Sequence, residues 1–76
     1  MNPEYIKLAQ TAYDTVLATM LEGEKQHPGN EWQGKSIGEH FRRADKHLFM
    51  YLKGDTSEDH IGHALTRLTM ILALQK

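Results

Sequence analysis

The residues best suited to chemistry are histidines set among acids and arginines. One run, Gly54 to Arg67, carries Asp55, Glu58, Asp59, His60, His63, Thr66 and Arg67. A second, upstream, carries Trp32, Lys35, His40, Arg43, His47 and Tyr51. Imidazoles and carboxylates ligate divalent ions. Arginine, lysine, imidazolium and hydroxyl groups bind phosphate, and aromatic faces and guanidinium planes stack on nucleobases. Three readings follow. A binding protein without catalysis or cofactor would take a nucleotide on Trp32, Lys35, His40, Arg43, His47, Tyr51, His60, His63, Thr66 and Arg67. A metal-dependent hydrolase would hold Mg²⁺ or Mn²⁺ on His40, His47, Asp59 and His63, with Glu39, Asp55, Glu58 and His60 as further donors. A plain helical interaction module would leave the acids as helix caps and the histidines solvated or bonded to those acids.

The hydrolase reading has specific gaps. There is no His-x-x-x-His pair, and Asp59-His60 reverses the His-Asp order of helical metal phosphohydrolases. No Glu-x-x-Glu occurs, so the carboxylate set that holds magnesium around a triphosphate is missing. The binding reading has no such gap and is the expected one.

Three helices must position these residues. Asn2-Pro3 opens the first, with Asn as cap and Pro at the first helical position. Ile6, Ala9, Tyr13, Val16, Leu17, Met20 and Leu21 form its core stripe, beside a second row of Tyr5, Leu8, Ala12, Thr15 and Thr19. It is expected to end near Gln26, before the turn His27-Pro28-Gly29-Asn30. Ser36 and Glu39 make a capping box for the second helix. Ile37, Phe41, Ala44, Leu48 and Leu52 form its apolar stripe, and His40, Arg43, His47 and Tyr51 a polar and aromatic row alongside. Gly54 closes it. Thr56 and Asp59 have capping-box spacing, so the third helix is expected from about Ser57 to the C-terminus. Its core stripe is Ile61, Ala64, Leu65, Leu68, Ile71 and Leu72, and Met70, Ala73 and Leu74 add apolar surface on other sides.

With 76 residues the chain makes one domain, residues 1–76, and a chain this short is marginally stable alone. It has no cysteine, which fits a reducing cytoplasm. A formal net charge of -1 argues against DNA, RNA or an anionic membrane as partner. No apolar run is long enough for a membrane span, and no signal peptide is expected. A third helix apolar nearly all round needs more cover than two neighbours supply. The expected fold is therefore all-α, a compact three-helix domain assembled into a homo-oligomer, a dimer or tetramer.

The run from Leu21 to Leu72 resembles small phage and prophage proteins of the dATP/dGTP diphosphohydrolase-like family. The residues that carry the likeness are Gly23, Lys25, Trp32, His47, Gly54-Asp55, Glu58-Asp59-His60 and His63-Ala64. The resemblance implies a compact helical fold, a phage-type origin, the host cytoplasm as location and a nucleotide as ligand. With the missing carboxylates, it implies sequestration of a phosphorylated nucleotide or cyclic dinucleotide signal used in anti-phage defence. The alternative it carries is a metal-dependent (d)NTP pyrophosphohydrolase.

Overall fold

A computed structural model describes residues 1–27 and 29–76. Among them are three α-helices and no strand: α1 is Pro3–Glu24, α2 is Ile37–Leu52 and α3 is His60–Leu74. A 3₁₀ turn at Glu31–Gly34 lies between α1 and α2. The all-α, three-helix expectation holds. Pro28, part of the expected turn after α1, lies outside the described residues.

The helix ends follow from capping chemistry. Asn2 Oδ1 accepts the Glu4 N–H at 2.8 Å, with Pro3 in the first position, where its missing N–H costs nothing. Ser36 Oγ accepts the Glu39 N–H at 3.1 Å and starts α2. At the end of α2 the Asp55 N–H donates to the Met50 carbonyl at 3.1 Å and the Gly54 N–H to that of Tyr51 at 3.0 Å. This paired closure needs a left-handed residue, and Gly54 supplies it with φ 87°.

The third helix starts later than expected, at His60 rather than Ser57. Asp59 is its cap: the carboxylate accepts the Gly62 N–H at 3.0 Å. Asp55 explains the delay, because it accepts the Ser57 hydroxyl at 2.7 Å and an N–H of His60. That holds 55–59 as a loop, and no capping box forms between Thr56 and Asp59.

α3 is the central element. α2 and α1 each pack on it and not on each other. The contacts run through small residues. Ala44 of α2 and Ala64 of α3 are buried. At Gly62 a Cβ would stand 3.0 Å from Thr15 Cγ2 and 2.8 Å from Asp59 Cγ, so side chain there would displace both α1 and the cap. The remaining buried side chains are Met70, Thr66, His40 and His60.

The apolar stripes therefore point elsewhere than expected. Of the α2 stripe only Ala44 is inside; Ile37, Phe41, Leu48 and Leu52 are exposed. Ile61, Leu68 and Leu72 of α3 are exposed too. α1 meets α3 through Ala12, Thr15, Val16, Thr19 and Met20, all half-buried, while Ile6, Tyr13, Leu17 and Leu21 face outward. The face that packs in α2 is the polar row of His40 and His47. Among the described residues no helix is long and apolar enough to cross a membrane.

Candidate functional site

Because α1 and α2 flank α3 without touching, a gap opens between them. It is an open cleft of about 560 Å³. Its floor is the α3 row His63, Thr66, Arg67 and Met70, at the spacings of three and four that share a helix face. Arg43 and His47 form the α2 wall, Thr19 and Met20 the α1 wall, and Trp32 and Lys35 close one end.

Seven of the ten residues expected to bind ligand thus line one cavity: Trp32, Lys35, Arg43, His47, His63, Thr66 and Arg67. The other three do not. Tyr51 is exposed on the outer side of α2. His60 is buried beneath His47, and His40 is fully buried beside Arg67.

His40 is a connector. Its Nε2–H donates to the Trp32 carbonyl at 2.8 Å, because a carbonyl can only accept. Nδ1 is then the acceptor for Arg67 Nη1 at 3.1 Å. The imidazole so ties the Trp32 loop to the Arg67 side chain. Arg67 is half-buried, and among the described residues no carboxylate stands within ion-pair distance of it. Burial first, and the like charge of Arg43 second, lower its pKa, while Glu39 opposes them. Arg43 differs: its Nε donates to Glu39 at 2.9 Å, and Glu39 also takes a fork of bonds from Arg42. Those bonds, Arg43 first and Arg42 next, hold the Glu39 carboxyl below the usual range.

Acids lie on the opposite rim. Glu22, Glu24 and Glu31 line the α1 and loop side, where Glu22 pairs with Lys25 at 3.2 Å and Glu31 with His27 at 3.7 Å. The cleft is basic on its floor and α2 wall and carries carboxylate acceptors across from them.

At one edge three imidazoles and two acids meet. His63 Nδ1–H donates to Glu58 Oε1 at 2.8 Å, and His47 Nδ1 lies 3.6 Å from the same oxygen. His47 Nδ1–H donates to His60 Nδ1 at 2.9 Å, because His60 gives its own N–H, on the far nitrogen, to Asp55. Burial, then the charge of His63, pushes the His47 pKa down, and Glu58 opposes this. The bonds from His60 and Ser57 lower that of Asp55. Of the four residues set out for a metal, only His47 and His63 come together. Asp59 faces its own helix end, His40 lies apart beside Arg67, and Glu58 takes the third place. Two imidazoles and one carboxylate do not suit Mg²⁺, which takes oxygen ligands. Glu58 takes the place expected for Asp59 because Asp59 is spent on the helix cap, a choice among four competent capping residues that the sequence does not make.

Comparison with protein-family models, curated proteins and solved structures finds no match to this chain.

Proposed function

We propose that the cleft binds a nucleotide-type ligand, a phosphorylated or cyclic (di)nucleotide, and holds it without chemical change. The observation that carries this reading is Arg67. A half-buried guanidinium with no carboxylate partner among the described residues is costly unless an anion completes it. It faces a cavity with Arg43 and Lys35, donors that match phosphate oxygens, while the buried Thr66 gives its hydroxyl to the Gly62 carbonyl at 2.9 Å. Trp32 at the cavity end offers a base an aromatic face, and the carboxylates of the α1 rim offer acceptors for its N–H groups or for sugar hydroxyls. A bare phosphate would use only half of this surface.

The reading includes a homo-oligomer in the host cytoplasm, as the phage-type resemblance implies. Its support is the row of exposed large apolar residues on α1, α2 and α3. Large apolar side chains left exposed in number are characteristic of surfaces that meet a partner.

The test is to incubate the full chain with deoxynucleoside triphosphates and with cyclic dinucleotides, with and without Mg²⁺ or Mn²⁺. Binding is read by calorimetry and the ligand recovered after heat denaturation. Intact ligand is the expected result. Arg67→Ala is expected to weaken binding by about 1.5–3 kcal/mol, the scale of a charged hydrogen bond. Release of monophosphate and pyrophosphate would replace the proposal with a metal-dependent pyrophosphohydrolase. No binding of any nucleotide would leave the interaction module.

A further inference from the structure

We propose that His47, Glu58 and His63 form a site for a divalent transition ion of the zinc class. The three come from different segments: α2, the loop before α3, and α3 itself. Their donor atoms nevertheless all lie within 4.8 Å of one another. Zinc takes imidazole nitrogen and carboxylate oxygen at about 2.0–2.2 Å, so tetrahedral ligands stand roughly 3.3 Å apart. The separations from Glu58 Oε1, 2.8 Å to His63 and 3.6 Å to His47, bracket that value. The donor set of two imidazoles and a carboxylate is one that zinc accepts and magnesium does not.

The surroundings supply what such a site needs. His60, buried beneath His47, is fixed in orientation by Asp55 and turns its Nδ1 toward the group, 4.0 Å from Glu58 Oε1. The rings of His47 and His63 meet edge to face with centroids 4.9 Å apart, so neither imidazole has far to move. Three ligands leave a fourth position for water, and two of the three, His47 and His63, also line the cleft. With an ion bound, each ligating imidazole carries its one proton on the nitrogen away from the metal.

The plainer account is that hydrogen bonds alone hold the cluster together. A metal titration separates the two, and it uses no nucleotide, so its result stands whatever the cleft binds. The full chain is dialysed against Zn²⁺ and the retained metal counted by mass spectrometry; Co²⁺ is titrated in parallel and followed by its visible absorption. The expected result is one ion per chain and a cobalt band of low-coordinate intensity. Loss of an outer partner of a metal ligand already costs roughly 10–100-fold in affinity. His63→Ala and Glu58→Gln should therefore each weaken retention by more than about tenfold. His27→Ala, at the exposed pair with Glu31, should leave it unchanged. Circular dichroism shows that the variants stay helical. If one of them unfolds, the other and the wild-type stoichiometry decide. Absence of retained zinc from the wild type, or retention unchanged in both ligand variants, would overturn the site.

Discussion

The two sides of the α2–α3 pair are chemically opposite. On one side Arg43, His47, His63 and Arg67 face the cleft. Away from it, Ile37, Phe41, Leu48 and Leu52 of α2 and Ile61, Leu68 and Leu72 of α3 are all exposed. Each helix turns about 100° per residue, so residues at i, i+4 and i+7 share one flank. Within one chain the helices join through Ala44, Ala64 and buried histidines, and the large apolar side chains stay outside. A core of a few small residues gives little stability for a domain of this size. The difference teaches that the polar side chains are mostly satisfied by one another, Arg67 excepted, whereas the large apolar side chains of these two helices are left outside.

The largest effect is expected on the apolar side. Burying a Phe or Leu gains about 1.5–3 kcal/mol, and forcing a charge into the same place reverses the gain and adds a desolvation cost of several kcal/mol. On the proposed homo-oligomer, Phe41→Asp with Leu68→Asp should give a smaller species than the wild-type chain. Light scattering at micromolar concentration checks it. A wild-type chain that is folded and monomeric there would break the comparison at its root.

On the polar side, His40 and Arg67 separate stability from binding. His40 is fully buried, and His40→Ala takes the imidazole donor from the Trp32 carbonyl, which keeps only the Lys35 N–H at 3.3 Å, and leaves a cavity where the ring stood. A lost hydrogen bond costs about 0.5–1.5 kcal/mol and the cavity adds to it, so the melting temperature should fall by several degrees. Arg67→Ala removes the anion partner but no packed core side chain. It should lower ligand affinity more than His40→Ala does and melting less. The reverse ranking would make Arg67 a structural residue and the cleft incidental.

How much of this was legible follows from which physics is local. Caps are local, and Asn2, Ser36 and Gly54 read correctly from sequence. The α3 start did not, because Asp55, Thr56, Ser57 and Asp59 are all competent caps and the choice is made by a non-neighbour, His60 bonding Asp55. Periodicity placed Arg43, His47, His63 and Arg67 on shared faces, and the cleft unites them. It also marked Phe41, Leu48 and Leu68 as apolar rows without saying what covers them. Small residues and histidines decided which face met α3. Tyr51 follows the same row as His47 by spacing alone, yet it lies at the far end, past the reach of the cleft.

The smallest expected effect sharpens the contrast between the two cleft arginines. Arg43 is held by Glu39, and Arg67 has no such partner among the described residues. The Glu39 carboxyl titrates below its usual range, chiefly through Arg43 and then Arg42. A depressed carboxylate favours the folded state above its free value, about pH 4.3. That contribution is lost as pH falls further, through the folded value. A melting profile from pH 7 to pH 3 should therefore contain a component that Glu39→Gln removes. The pair is largely solvated, so the component is small. The same substitution releases Arg43 at neutral pH, and binding of an anionic nucleotide should tighten, a few-fold at most. Weaker binding in Glu39→Gln would mean instead that Glu39 aims the Arg43 fork at the cleft. The acid would then belong to the site rather than compete with its ligand.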